Sequence, residues 1–435
     1  MANGSFSSTV ANGYMTKYAN LVVDCIPKAS GEFNQIPVET VKSDRYEWRL
    51  KVKGGTSMGN TVENADFQPP DSPTNVTTFS GFAIAHSNHQ LSDIAKAVID
   101  GSETNFFNAL NFLAEDAMDQ MLLFREGFLY GNGTGEVGTV ASVSAPNVRI
   151  VGYANGRSIN PSTLLMDGAV YEVMDTTLAT SRGFFTQVSR NNVPQTSNTS
   201  IDVVSSGLPA GTVAGDRIFW VGQGNATSRG RAPQGLNSLI DNTITGTFQG
   251  IDFTTGNGIL AQKWVSSVDS GGGTLRALTP TILMNALQAQ AEVYTGRSID
   301  SVGKNLKWIA HPAQALPFYN MFPGSASPNT PHVSRPDDQK MGNMSRTFAG
   351  PLGEISLSFR RECPQSTIYG ADYSNLVNAE RIKLDWRDKN IFMLNPNSAN
   401  SVAQLYGAFQ LCVKERRHMV RIDDLSYTIR NGNRG

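Results

Sequence analysis

An α+β fold is predicted by three features of this chain. The stretch 104–130 carries apolar residues at three- and four-residue spacing, the stretch 46–53 alternates apolar and charged residues, and most of the rest is short apolar runs set among Gly, Asn, Ser and Thr. The 435 residues are enough for about two to three structural regions. With 40% hydrophobic and 17% charged residues the chain reads as folded rather than disordered, and a net charge of −1 argues against a polycation built to hold nucleic acid. Cys25, Cys363 and Cys412 are odd in number and far apart, with no C-x-x-C pair, so neither a disulfide framework nor a zinc site is expected, and a reducing cytoplasm is the expected place of synthesis. The start of the chain lacks the basic cluster and apolar core of a secretory signal, and no window approaches membrane-spanning length. No membrane partner is expected.

Residues 1–44 are polar with scattered apolar anchors such as Val22, Val23 and Ile26, and read as an extended arm. In 46–53, Tyr46, Trp48, Leu50 and Val52 share one face and charges the other, as in a half-buried strand. A second strand is expected over 77–85, across a polar stretch holding Gly54-Gly55 and Pro69-Pro70. The two make a long hairpin that is marginal alone, since two strands cannot cover each other's apolar face. In 104–130, Phe106, Leu110, Leu113, Ala117, Met121, Phe124 and Phe128 form a helical stripe about 40 Å long. It stops at Gly131-Asn132-Gly133-Thr134-Gly135, residues that tolerate left-handed backbone.

From 136 to 234 the texture is that of a β-rich module, with strand-like runs at 148–151, 169–173 and 216–221. Thr279-Pro280 then opens a helix, with Thr as N-cap and Pro in the first turn, and Leu283, Ala286, Leu287 and Ala291 as its stripe. A short strand at 308–310, a helix over 313–321, and strands over 379–386, 391–394 and 402–419 complete the reading.

Apparent catalytic motifs fail on context. Gly55-Thr56-Ser57-Met58-Gly59 has the G-x-S-x-G spacing of a nucleophile turn, but no histidine precedes Ser57 and no helix pattern follows it. Gly133-Thr134-Gly135-Glu136-Val137-Gly138 fits the dinucleotide spacing, yet it follows a helix where that motif must open one. Gly303-Lys304 lacks the upstream glycine and the following hydroxyl of a phosphate loop. His86 and His89 would need a shared helix face and a further ligand to hold zinc. Glu115-Asp116 and Asp423-Asp424 read as exposed charge, and Lys414, Arg416, Arg417 and Arg421 as subunit salt bridges or contacts to DNA. No catalytic, cofactor-binding or metal-binding residue is expected, and no cofactor.

The order of parts says more than any motif: arm, long hairpin, single long helix, glycine-rich stop, then mixed sheet and helix. This order resembles the Hong Kong 97 type of tailed-bacteriophage major capsid protein. Arg125-Glu126-Gly127-Phe128-Leu129-Tyr130-Gly131-Asn132-Gly133-Thr134-Gly135 is similar to that family's helix end and Gly-Asp-Gly-Thr-like turn, with Asn132 in place of the more usual Asp. Gly235-Leu236-Asn237-Ser238-Leu239 resembles a segment that in the family follows soon after that turn, so the module between them looks inserted. Trp308-Ile309-Ala310-His311-Pro312 is similar to a strand-to-helix step of the axial domain, and 402–424 to the closing strands.

The resemblance implies an N-terminal arm (1–44), an extended hairpin loop (45–90), a peripheral domain with a spine helix (91–135), a β-rich insertion domain (136–234), and the axial domain with the remainder of the peripheral domain (235–435). It implies a structural, non-enzymatic subunit that assembles with itself into hexamers and pentamers of an icosahedral shell around a phage genome, in the virion after assembly in the host bacterial cytoplasm. Implied partners are a portal, a decoration protein, double-stranded DNA contacted non-specifically, and scaffolding as a separate protein, since arm and hairpin occupy the residues ahead of the helix. Lys51, Lys53, Phe67, Pro69 and Pro70 are the assembly-interface candidates, and no cross-link is expected. Two rivals stand beside this reading: an encapsulin-like compartment shell of the same fold, and a β-rich carbohydrate-binding or hydrolytic protein, which would be a stable monomer.

Overall fold

The computed structural model describes residues 31–53, 72–92, 103–151, 165–190, 200–220, 232–244, 246–253, 264–292, 306–321, 347–350, 352–387, 392–394 and 400–427. A 3-10 turn, Phe33–Gln35, leads into β1 (Val38–Thr40), then β2 (Arg45–Lys53), β3 (Thr74–Gly81) and β4 (Ala83–Ser92), followed by the long helix α1 (Glu103–Leu129). Six strands come next: β5 (Glu136–Ser144), β6 (Asn147–Val151), β7 (Val170–Met174), β8 (Ser181–Arg190), β9 (Ser200–Ser206) and β10 (Arg217–Trp220). After a helical turn, Leu236–Leu239, come β11 (Thr247–Phe248), β12 (Ile251–Asp252), β13 (Ser267–Asp269), α2 (Pro280–Ala291) and β14 (Lys307–Ala310). A 3-10 turn, Pro312–Gln314, and a short helix, Ala315–Asn320, precede β15 (Thr347–Gly350), β16 (Gly353–Phe359), β17 (Ile368–Ala371), β18 (Leu376–Trp386), β19 (Phe392–Leu394), β20 (Asn400–Val413) and β21 (Met419–Ile422).

Three bodies result, and the apolar core of the first also takes in Ile309, Tyr369, Ala371 and Met419 from the sheet of the second. In the first, β1, β18, β20, β19 and β4 form a five-stranded sheet. The end of α1 packs over it, where Met121, Leu129 and Tyr130 join Leu405, Phe409 and Leu411. In the second, β13-β21-β17-β14-β16-β15 form a six-stranded sheet. There α2 buries Ile282, Leu283, Ala286 and Leu287 against Trp308, Ile355, Ile368 and Val420. At about 1.5–3 kcal/mol for each large aliphatic side chain withdrawn from water, that face alone outweighs the helix's intrinsic propensity. The N-terminus of α2 is capped by Thr279, whose Oγ1 accepts from the Ile282 amide at 3.4 Å, with Pro280 in the first turn. The third body is a closed barrel, β10-β5-β6-β9-β8-β7, filled by Val137, Val140, Ile150, Tyr171, Phe185 and Ile218. Closure leaves it no free edge.

Several elements differ from their expected form. The run 77–85 is two strands: β3 pairs with β2 up to Arg45↔Gly81, and β4 starts at Ala83 by pairing with Phe409 of β20. The chain changes sheets at Phe82, next to the side-chain-free Gly81. The segment 402–419 divides likewise, since β20 ends at Val413 and β21 belongs to the other sheet. The helix over 313–321 starts as a 3-10 turn capped by His311, whose Nδ1 accepts from the Ala313 amide at 3.0 Å. Of residues 1–44, the described part is packed into the subunit. Glu32, Phe33 and Ile36 are buried, and β1 runs parallel to β18 from Val38↔Asn378 to Thr40↔Glu380.

The three bodies meet at the last turn of α1. Phe128 enters the barrel core, Leu129 and Tyr130 enter the first core, and the Tyr130 ring lies 5.8 Å from that of Tyr369 on β17 of the second body. Past the helix, the Asn132 Oδ1 accepts from the Thr134 amide at 3.0 Å and from its hydroxyl at 2.6 Å, which turns the chain into β5. After the barrel the chain passes beside its point of departure, and Asn132 and Gln234 form an antiparallel bridge. Gly235 lies against the helix end, where a Cβ would sit 2.3 Å from the Phe128 carbonyl oxygen and 2.6 Å from that of Leu129. These contacts are with backbone, so no side-chain rotation relieves them. Replacing Gly235 with Ala is therefore expected to cost about 2 kcal/mol of stability, measurable as an earlier denaturant midpoint of the purified subunit.

Candidate assembly surfaces

The root of the arm is held by buried charge. The Glu32 carboxylate is fully buried and accepts hydrogen bonds from Arg360 Nε and the Tyr373 hydroxyl, both at 2.6 Å, and from Lys307. Burial alone would raise its pKa, but the hydrogen bonds from Lys307, Tyr373 and Arg360 more than offset it and hold the carboxyl below its usual range. One residue on, the Phe33 amide donates to Glu126 Oε1 of α1 at 2.8 Å. The Phe33 ring lies under the Arg125 guanidinium, 4.4 Å from its centroid, and Phe409 lies 5.0 Å from the same guanidinium. Burial pushes Glu126 up to about 7, with the carboxylates of Glu362 and Glu32 adding to the rise and the Phe33 amide opposing it.

The hairpin β2–β3 is fastened at its base. Tyr46 and Leu50 are buried and Trp48 is half-buried, so this face of β2 lies on the subunit. On β3, the Phe79 amide donates to the Gln249 carbonyl at 3.0 Å, which ties the strand to the small β11–β12 hairpin. The Phe79 ring occupies the space above Gly250, where a Cβ would come within 2.5 Å of it, and Arg45 lies 4.7 Å from the ring centroid. Gly250 also has φ +79°. Of the interface candidates, Lys51 is exposed on β2, Lys53 pairs in backbone register with Thr74 while its side chain lies outside the described residues, and Phe67, Pro69 and Pro70 also lie outside them.

Two arginines of the C-terminal basic cluster have a different role from the one expected. Arg416 and Arg421 are fully buried and bind carbonyls at the end of the turn Leu236–Leu239. Arg416 donates to the Leu239 and Asp241 carbonyls, each at 2.8 Å, and lies 4.6 Å from the Phe248 ring centroid. Arg421 donates to the Asn237 carbonyl at 2.9 Å and to that of Ile240, and pairs with Asp423 at 2.8 Å. Burial draws the Arg416 pKa down to about 9, with nearby Arg421 acting in the same direction and Asp241 opposing. Lys414 pairs with Glu39 at 2.6 Å, and Arg417 with Glu415 at 2.8 Å. The cluster therefore works within the subunit, and unpaired buried charge would be too costly for it to do otherwise.

Of the remaining motifs, those within the described residues lack the context their chemistry requires. His86 is exposed on a strand, so the helix face that a His86–His89 pair would need is missing. The glycine motif after α1 is a turn into β5, Cys363 and Cys412 are buried free thiols, and Asp424 accepts from Ser270 and the Gly273 amide. The Ser57 and Lys304 motifs and Cys25 lie outside the described residues. Among the described residues there is no group of His, Cys, Asp or Glu able to hold a metal, and no helix long and apolar enough to cross a membrane. Sequence reading missed Glu32 and its partners, since Arg360 and Tyr373 lie 328 and 341 positions away from it. It also missed the Phe79–Gly250 contact, for which no local signal exists.

A core-anchored arm root, a separate two-stranded hairpin, one long helix, a barrel carried on the helix end and a mixed sheet together make the Hong Kong 97-type capsid fold. The chain is similar to the capsid asymmetric unit of cyanophage A-1(L), with a TM-score of 0.56 at 13% identity, over 94% of this chain and 96% of that one. It is also similar to the capsid of the native GTA particle, with a TM-score of 0.50 at 10% identity, over 97% of this chain and 99% of that one. No family model matches the chain, and no curated protein matches it.

The two glutamates that hold the arm root have opposite pH signatures. Glu126, raised above its unfolded value, stabilises fully below that value and loses this contribution as pH rises through about 7. Glu32, held below its unfolded value, stabilises above it and loses this as pH falls through its folded value. Glu126→Gln should thus flatten the fall in stability between about pH 5 and pH 8 by on the order of 2 kcal/mol, and Glu32→Gln should destabilise at neutral pH, with the gap narrowing as the pH falls below the ordinary carboxylate range. Denaturant titrations across pH measure both. At the hairpin, Gly250→Val should displace Phe79, which hydrogen exchange would read as faster exchange along 74–81 with the other sheets unchanged.

Proposed function

We propose that this chain is the major capsid protein of a tailed bacteriophage: a structural subunit, not an enzyme, that assembles with copies of itself into the hexamers and pentamers of an icosahedral head shell. The observation that carries this reading is the extent of the likeness. Two capsid structures match 94% and 97% of the chain, so arm root, hairpin, helix and sheets are all included rather than a single shared domain. The physics of the hairpin supports it. A two-stranded sheet that joins neither of the larger sheets and presents the charged face of β2 to solvent gains partner surface in an assembly. On this reading residues 1–44 serve as the arm, 45–90 as the extended loop, 91–135 as the spine-helix part of the peripheral domain, 136–234 as the insertion and 235–435 as the axial domain with the rest of the peripheral domain. Lys51, Lys53, Phe67, Pro69 and Pro70 face neighbouring subunits. The subunit resides in the virion after assembly in the bacterial cytoplasm, with a separate scaffolding protein, a portal, a decoration protein and non-specifically contacted DNA as partners.

Negative-stain microscopy with analytical ultracentrifugation, on the protein expressed alone and with its neighbouring genes, tests this reading. Shells, capsomers or polyheads are expected. A compact monomer under every condition overturns it.

A further inference from the structure

Three carboxylates from separate parts of the chain converge beneath the arm root. Glu32 belongs to the arm root, Glu126 to α1 and Glu362 to the stretch after β16, and all three are buried. They are unequally supplied with hydrogen bonds. Glu32 takes three, from Lys307, Arg360 and Tyr373, and Glu126 accepts the Phe33 amide. The Glu362 Oε1 lies 3.4 Å from Arg361, while its buried Oε2 and the buried Tyr130 hydroxyl have no hydrogen-bond partner among the described residues.

The groups that face Glu126 come from four places: Glu32 on the arm root, Arg125 and Tyr130 on α1, Arg360 and Glu362 after β16, and Tyr373 between β17 and β18. Of the cations, Arg360 is engaged by Glu32, and Arg125 by Glu380 at 3.4 Å. An ionised Glu126 therefore meets two like charges in a buried place, where low dielectric magnifies their repulsion. As a neutral acid it still accepts from the Phe33 amide and adds no charge. Burial first, then Glu362 and Glu32, push it up to about 7, whereas Glu32 is held below the usual carboxylate range and stays ionised across that interval. Of the three carriers, the arm root is the one able to yield. Glu126 lies two residues before Phe128 and three before Leu129, which enter two different cores, and Glu362 precedes the buried Cys363. The arm root is a single 3-10 turn held through Phe33 and Ile36.

We propose that this cluster is a proton-operated latch on the arm: residues 32–36 stay docked while Glu126 carries a proton and undock as it ionises, ahead of any opening of the cores. The latch belongs to the single subunit and does not rest on the capsid reading. The sign follows from linkage. A carboxyl whose docked pKa is raised favours docking fully below its ordinary value, and that preference is lost as pH rises through the docked value.

Hydrogen exchange of full-length, unassembled subunits, corrected for the intrinsic pH dependence of exchange, tests the latch. It is read at the amides of Phe33, Gln35 and Ile36, which donate to Glu126, Glu32 and Phe33 in the docked turn. Between pH 5 and pH 8 their protection is expected to fall about tenfold or more, while that of β17 and β20 stays constant. E126Q keeps an acceptor for the Phe33 amide without the charge, and at pH 8 should retain the protection seen at pH 5. E362Q removes one opposing carboxylate and should shrink the fall, and it carries the test alone if E126Q does not fold. Protection over 33–36 that is insensitive to pH in the unaltered chain overturns the inference. So does a fall of equal size in E126Q or E362Q, or one shared by β17 and β20. None of these outcomes bears on shell formation, and a chain that forms no shells leaves the latch standing.

Discussion

The end of α1 is where two apolar cores meet and where Tyr130 touches Tyr369 of the six-stranded sheet, and the rest of the architecture hangs from that joint. Phe128 points into the barrel, Leu129 and Tyr130 into the five-stranded body, and Gly235 brings the returning chain to within backbone contact of the helix end. Glu126, one turn earlier, receives the Phe33 amide, so the arm root docks on the same few residues. Because interiors are packed at crystal-like density, a shift at this turn has no slack to absorb it and is passed to all three bodies. A long helix is well suited to that role: its internal hydrogen bonds make it a stiff rod whose end can fix the relative placement of everything attached.

Around the joint, charge does the fastening that apolar contact leaves undone. Glu32 with Lys307, Arg360 and Tyr373 ties the arm root to β14, to the residue after β16 and to the turn between β17 and β18. Arg416 and Arg421 bind the carbonyls at the end of the turn Leu236–Leu239, which fixes the loop that follows the barrel. Such networks add modest net stability compared with apolar packing of equal volume, but they tolerate few alternative geometries. Their role is to specify one relative arrangement of parts.

Legibility followed the range of the interactions involved. The long helix, the alternating strand β2 and the Thr279–Pro280 helix start could be read from sequence because their signals lie within one or two turns or a few alternations. The split of 77–85 at Phe82 could not, since both halves have strand character and only the sheet each joins separates them. The basic cluster misled for a related reason. Lys414, Arg416, Arg417 and Arg421 look alike in sequence, yet two of them are buried through partners at 237–241 that no local pattern reveals. Of the surface candidates, Lys51 is seen exposed on β2, whereas the residues that fasten the hairpin base, Phe79 and Gly250, carry no sequence signal.

The barrel departs after Gly135 and the chain is back at Gln234, bridged to Asn132, so its two ends are neighbours in space. A module whose ends meet imposes almost no loop-closure cost on the body that carries it, whatever its length. It also keeps its own core, with Phe128 as the main helix residue lent to it. The rest of the subunit is thereby insulated from the module's evolutionary history. The barrel is free to lengthen, shrink or be exchanged for an unrelated fold across a junction made of one β-bridge and the aromatic face of the helix end, Phe124 and Phe128, while the arm root and sheets keep their geometry.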